Sequence, residues 1–124
     1  MTGASGFIGQ YTLRDLLAHG QRVVAMLREP LADSGRRLCQ QTQAMGTSIE
    51  SYIESGQLVL VEGSLPNSLP AITWGRTDAV VSCAASLQLF SDGNGDPFRT
   101  NVAGMKAVLD WTDANRITRL HAVS

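Results

Sequence analysis

The chain lacks a charge imbalance, a large aromatic content and any long apolar run. Its 10 basic and 11 acidic residues leave a net charge of −1 over 124 residues, so electrostatics gives no reason to expect nucleic acid or an anionic membrane as a partner. Aromatic residues make up 6% of the chain, too few to predict a platform for stacking bases. No apolar run reaches the roughly 20 residues of a membrane-spanning helix, and no secretory signal is visible.

The chain also has few residues that bind metals or form disulfides. Cys39 and Cys83 are far apart and lack metal-ligand spacing, and the apolar run around Cys83 predicts a small buried thiol. The acidic stretch 92–96 lacks the ligand spacing and the terminal glutamate of a calcium loop. We therefore predict no metal site and a reducing, cytoplasmic compartment.

Helical and strand patterns alternate along the chain. Helices are predicted at residues 8–19 and from Pro97 to about residue 115, with one or two surface helices within 31–55. Short apolar runs predict strands at residues 22–27, 57–62, 78–84 and 117–124. This alternation predicts a single α/β domain over residues 1–124, with a doubly wound parallel sheet of the Rossmann type.

The chain opens with the letters TGASGFIG, in which three glycines are spaced G-x-x-G-x-x-G directly before the first helix. Gly3 permits a tight turn, Gly6 lets backbone amides approach a pyrophosphate, and Gly9 allows close packing of the helix. The helix N-terminus adds free N–H groups and a partial positive charge. The motif therefore predicts a dinucleotide phosphate site; a loop rich in glycine for turn geometry alone is the alternative.

The context of this loop departs from the Rossmann pattern. Such a loop follows a central buried strand, yet only Met1 precedes Thr2. We therefore expect a partial nucleotide-binding domain with an incomplete sheet. We also expect this fragment of a larger enzyme to be unstable in isolation.

The end of the second predicted element, MLREP, bears on the choice of cofactor. NAD-binding Rossmann domains place an acidic residue there to bind the ribose hydroxyls, but this chain has Leu27 followed by Arg28. A guanidinium binds a 2′-phosphate with two hydrogen bonds. The sequence therefore favours NADP(H) over NAD(H). In the alternative interpretation Arg28 is a surface charge and Glu29 binds the ribose.

Taken together, these motifs resemble the extended short-chain dehydrogenase/reductase superfamily over essentially the whole chain. TGASGFIG is similar to its cofactor fingerprint, LREP to a turn of its NADP-using members, and VEGSL, VVSCAAS and RTNVAGM to three later motifs. The polar insert after LREP and the closing HAVS most resemble the thioester reductase-like branch (male sterility and fatty acyl reductases). That branch includes reductase domains of peptide synthetases and carboxylic acid reductases.

The resemblance implies roles for individual residues. The phosphate loop would comprise Thr2, Gly3, Ser5, Gly6, Phe7, Ile8 and Gly9. Arg28 would hold the 2′-phosphate. Near the adenine would lie Gly63, Ser64 and Leu65, and against the ribose and nicotinamide side would lie Ala84, Ala85 and Ser86. Asn101 would lie in the helix under the active site. Ser64 replaces an Asp that is usual in the superfamily, and Met105 replaces a Thr.

The resemblance also implies a catalytic Ser or Thr at the end of the fifth strand and a Tyr-x-x-x-Lys pair. Ser124 is the candidate catalytic hydroxyl. Tyr11 and Tyr52 are followed four residues later by Asp15 and Gly56, so neither forms the pair. We therefore expect this chain to be inactive alone.

Three functions remain open from the sequence. In the first, the chain is the NADP(H)-binding part of a reductase that converts a carrier-bound acyl thioester to an aldehyde or alcohol, within a multidomain synthetase. In the second, it belongs to an NAD(P)-dependent epimerase, dehydratase or ketone reductase acting on a sugar nucleotide or small carbonyl compound. In the third, it is a regulator that senses the dinucleotide without catalysis.

Overall fold

The computed structural model describes residues 1–123, and its helices and strands alternate as the sequence predicts. The elements, in chain order, are α1 (Phe7–Ala18), β1 (Val23–Leu27), α2 (Leu31–Ala44), α3 (Glu50–Glu54), β2 (Leu58–Glu62), β3 (Val80–Ser82), a π-helical turn (Arg99–Ala103), α4 (Gly104–Ala114) and β4 (Leu120–Ala122). The α/β class is confirmed.

Three predicted elements differ from the structure by more than one residue. The strand predicted at 117–124 begins later, at Leu120, as the short β4. The strand predicted at 78–84 is shorter, because the chain leaves the ladder after β3 and continues at Cys83 as a loop. The helix predicted from Pro97 begins instead as the π-helical turn. There the Asp96 carboxylate accepts hydrogen bonds from the Thr100 backbone N–H at 3.0 Å and from its hydroxyl at 2.6 Å.

The strands pair in parallel. In the β1–β2 pair Val23 lies opposite Leu58, and in the β3–β4 pair Val80 lies opposite Leu120. Thr2 bridges these two halves, since it pairs in parallel with Met26 on one side and with Ser82 on the other. The order across the sheet is therefore β2, β1, Thr2, β3, β4, the arrangement of a Rossmann-type sheet with an incomplete central strand.

Met1 and Thr2 stand at the centre of this sheet. The Met26 N–H donates to the Met1 carbonyl at 2.9 Å, and the Thr2 N–H donates to the Val81 carbonyl at 2.9 Å. The buried hydroxyls of Thr2 and Ser82 are 3.0 Å apart. The centre of the sheet is incomplete, as predicted, but these two residues already connect its two halves.

The buried apolar residues form two clusters. The larger joins α1, α2, β1 and β2 with Ile49, and the smaller consists of Val80, Val108 and Ile117. A groove of about 420 Å³ lies beside Met1 and is lined from both halves of the sheet, by Val24 and Val81 among others. Over residues 1–123, the structure contains no helix with the length and hydropathy needed to cross a membrane.

Candidate functional site

The glycine loop turns tightly against the segment that follows β3. Gly3 has φ +73°, and a Cβ there would collide with the backbone of Cys83 and Ala84. A Cβ on Gly9 would overlap the carbonyl oxygen of Gly3. Gly9 therefore permits close packing, as predicted, but its nearest neighbour is the first glycine of the loop itself.

The loop delivers the start of α1 to an open cleft. Gly6 is the N-cap residue, no side chain caps the helix, and its first turn holds no acidic residue. The first N–H groups of a helix have no partner within the helix, and they carry its partial positive charge. A phosphate at this position would find hydrogen-bond donors and no competing carboxylate from the first turn.

The cleft has a volume of about 740 Å³ and lies between the glycine loop, the ends of β1 and β2, and the segment after β3. Most of the residues proposed from the sequence for cofactor binding line it, and these are Gly3, Ser5, Gly6, Arg28, Gly63, Ser64, Leu65, Ala84, Ala85 and Ser86. The fold therefore brings together motifs spread over more than 80 positions of the sequence. Their individual roles remain predictions.

Four other residues assigned to the phosphate loop do not line the cleft. Thr2 is buried in the sheet, and Gly9 is buried against Gly3. The side chains of Phe7 and Ile8 are exposed to solvent at the start of α1.

Asn101 is also absent from the cleft wall, but it holds a residue that lines it. The Ser86 N–H donates to Asn101 Oδ1 at 2.7 Å, and Asn101 Nδ2 donates to the Ser86 carbonyl at 3.0 Å. The side-chain amide thus fixes the loop after β3 to the π-helical turn. The proposed catalytic Ser124 lies outside the described residues.

Three guanidinium groups line the cleft, those of Arg28, Arg37 and Arg99. Arg28 lines it from the end of β1, and Arg37 lines it from α2, where Arg37 Nη2 donates to Ser34 Oγ at 3.0 Å. Leu27 also lines the cleft, although its side chain is almost fully buried in the core. Glu29, the alternative ribose ligand, is exposed and does not line the cleft.

Sequence reasoning missed the contribution of α2 to the cleft. Ser34, Arg37 and Gln41 all line the cleft, and their spacing of three and four residues places them on one face of the helix. That spacing, read together with Arg28, is the signal in the sequence that would have indicated them.

The segment from Ser86 to the π-helical turn forms another part of the cleft lining. Gln88, Asp96, Arg99 and Thr100 line the cleft there, while Leu87, Leu89 and Phe90 are more than 80% exposed nearby. Within this segment the backbone N–H groups of Asp96 and Asn94 lower the pKa of the Asp92 carboxyl, because they donate hydrogen bonds to it. The Asp92 carboxylate therefore stabilises the turn over residues 92–96.

Comparison with known proteins identifies a family and includes a curated relative. The family model described as the NAD dependent epimerase/dehydratase family matches residues 1–124. The chain is 24% identical, over 102 residues, to the decarboxylating sterol-4-alpha-carboxylate 3-dehydrogenase of Dictyostelium discoideum, covering 82% of this chain and 26% of that protein.

A solved structure shares the fold. The terminal R domain from the myxalamid PKS-NRPS biosynthetic pathway superimposes with a TM-score of 0.81 at 23% sequence identity, covering 99% of this chain and 33% of that one. The chain thus spans about a quarter of the curated relative and a third of the solved one.

Proposed function

This chain belongs to the NAD dependent epimerase/dehydratase family, and from that premise we propose that it forms the NADP(H)-binding part of a reductase acting on carrier-bound acyl thioesters. The family indicates a nicotinamide dinucleotide cofactor. The phosphorylated form of the cofactor and the acyl thioester substrate are our proposal.

The preference for NADP(H) is supported by two arginines of the cleft. Arg28 and Arg37 both line the cleft, and Leu27 occupies the position where an NAD-binding domain has its acid. Each guanidinium can donate two parallel hydrogen bonds to a phosphate, whereas Leu27 offers no carboxylate to a ribose diol. This arrangement is the observation that carries the proposal.

The pyrophosphate would lie against the start of α1. Ser5 and Gly6 line the cleft there, and the uncapped helix end supplies N–H donors. The nicotinamide would then lie toward Ala85 and Ser86, and Asn101 holds Ser86 in place.

The bound cofactor would supply the hydride that reduces an acyl group. The described residues bind and orient the cofactor, but neither tyrosine reaches the cleft. Tyr11 packs on α1 against Phe7 and Arg14, and Tyr52 packs against the larger core cluster. We therefore expect the 124-residue chain to bind the dinucleotide without reducing a substrate.

The acyl thioester is supported by the fold shared with a terminal R domain of a PKS-NRPS pathway. The exposed Leu87, Leu89 and Phe90 beside Ser86 also present an apolar surface suited to an acyl chain. A substrate tethered to a carrier protein would extend from this part of the cleft.

A second candidate function is supported by the curated relative. Its name describes a decarboxylating dehydrogenase of a sterol carboxylate, which favours a free alcohol or ketone as the substrate. Assaying the enzyme that contains this chain with an acyl thioester on a carrier protein and with free alcohols distinguishes the two. Oxidation of the free alcohol alone would favour the second candidate.

The cofactor proposal is tested by titrating the enzyme that contains this chain, and its Arg28→Leu and Arg37→Leu variants, with NADPH and with NADH. We expect the wild type to prefer NADPH, and each variant to lose about tenfold in NADPH affinity, about 1.4 kcal/mol, with little change for NADH. Arg36→Leu is the matched control, because Arg36 is adjacent on α2 but faces Asp33. Equal affinities of the wild type for the two dinucleotides would overturn the proposal.

A further inference from the structure

Helix α2 begins without a cap of its own. Its N-cap residue is Pro30, and no side chain near that residue caps the helix. A residue of β2 supplies the acceptor instead: the Leu31 N–H donates to Glu62 Oε2 at 3.1 Å. A carboxylate at this position also interacts favourably with the positive end of the helix. Glu62, the last residue of β2, therefore performs a capping role across 31 positions of sequence.

The same end of β2 is also joined to β1. The N–H of Gly63, next to Glu62, donates to the Leu27 carbonyl at 2.9 Å. Leu27 directly precedes Arg28, and α2 carries Arg37. Glu62 and Gly63 thus hold the two segments that carry Arg28 and Arg37.

We propose that Glu62 is a positioning residue for the 2′-phosphate site, where its carboxylate fixes the start of α2 so that Arg37 remains in the lining of the cleft, to which Arg28 also belongs. This inference rests on the proposed use of NADP(H). Glu62 itself does not line the cleft, so it acts through α2 and makes no contact with the cofactor.

The charge of Glu62 has a second effect on NADPH affinity, opposite in direction to the positioning effect. Its negative charge would repel a 2′-phosphate, so its removal by this effect alone would strengthen NADPH binding. The carboxylate is exposed, and exposed charges are strongly screened beyond about 10 Å at moderate salt. The positioning role predicts the reverse, a loss of NADPH affinity when the acceptor oxygen is removed.

Two variants separate the effects. Glu62→Gln removes the charge but keeps an oxygen that can accept from the Leu31 N–H, whereas Glu62→Leu removes both. We expect Glu62→Leu to weaken NADPH binding about threefold to tenfold while NADH binding changes less than twofold. Glu62→Gln should stay within about twofold of the wild type. Glu54→Leu, an exposed glutamate on α3, is the control.

The outcomes are distinguishable. Stronger NADPH binding by both Glu62 variants would show that charge repulsion dominates, and equal losses for both dinucleotides would show a general structural role; either result overturns the proposal. Amide exchange at residues 31–34 provides an independent readout, which should accelerate in Glu62→Leu without any cofactor. If amide exchange accelerates in Glu62→Leu while the wild type shows no preference for NADPH, the proposed function is refuted but the capping contact between Glu62 and Leu31 is supported.

Discussion

At the scale of single residues, Gly9 is constrained by its contact with Gly3. A Cβ at position 9 would overlap the Gly3 carbonyl oxygen, which is a backbone atom and cannot rotate away. We predict that Gly9→Ala lowers the free energy of unfolding by about 1–3 kcal/mol, as other overpacked sites do. Thermal melting measures this change.

Gly93 offers a matched control for that substitution. A Cβ there would meet no atom within 4 Å, and its φ is not in the left-handed region. Gly93→Ala should therefore melt close to the wild type. If Gly9→Ala melted at the same temperature as Gly93→Ala, the close contact with Gly3 would be refuted.

The amino group of Met1 predicts a pH dependence of stability. Burial lowers the pKa of this ammonium from 8.0 to about 6, with the nearby Cys83 opposing the shift. Between these values the unfolded chain holds a proton that the folded chain does not, so stability falls as pH decreases from 8 to 6. Two pKa units correspond to about 2–3 kcal/mol.

Measuring the free energy of unfolding by urea at pH 6 and pH 8 tests this prediction. Acetylation of Met1 is the control, because it removes the titrating amine and should flatten this part of the profile. An unmodified chain that is equally stable at both pH values would contradict the burial of the amine.

At the scale of elements, Asn101 connects the loop after β3 to the π-helical turn. It makes two hydrogen bonds with the backbone of Ser86, and each contributes about 0.5–1.5 kcal/mol. We predict that Asn101→Leu speeds amide exchange at Ser86 several-fold and weakens dinucleotide binding, because Ser86 lines the cleft. Asn94→Leu, in the exposed loop nearby, should change neither. Unaltered exchange at Ser86 would show that the loop does not need this clamp.

The sequence predicted the order of these elements and the arrangement around the glycine loop, because both depend on local patterns. Gly3, Gly6 and Gly9 lie within seven positions, and their spacing alone indicates a turn before a helix. Arg28 was found for the same reason, since it follows a strand in a recognisable motif.

The sequence did not reveal which face of α2 meets the cleft. That orientation is set by packing: Leu38 is fully buried, and Gly35 lies close enough to Leu60 that an added Cβ would be 3.2 Å from its side chain. Arg37 reaches the cleft only because these neighbours fix the rotation of the helix. The contact of Glu62 with Leu31 depends on the same packing and joins residues 31 positions apart.

At the scale of the whole molecule, the sheet is joined across its centre by two residues. The Met1 amine donates to the Val24 carbonyl, and the Thr2 N–H donates to the Val81 carbonyl. Because backbone groups alternate along parallel ladders, the N–H groups of Val24 and Val81 point into the groove beside Met1. The groove is lined mainly by apolar side chains from both halves of the sheet. It therefore has the shape and the hydrogen-bonding groups for an extended apolar segment.

This geometry leads to a prediction about the stability of the domain. A five-residue extension of valine and isoleucine before Met1 should enter the groove, pair with β1 and β3, and raise the melting temperature by more than about 5 °C. It should also replace the buried amine by an amide and thereby abolish the contribution of Met1 to the pH dependence. A glycine-serine extension of equal length removes the amine in the same way but buries no apolar surface. Equal melting temperatures for the two extended chains would show that the groove does not accept this strand.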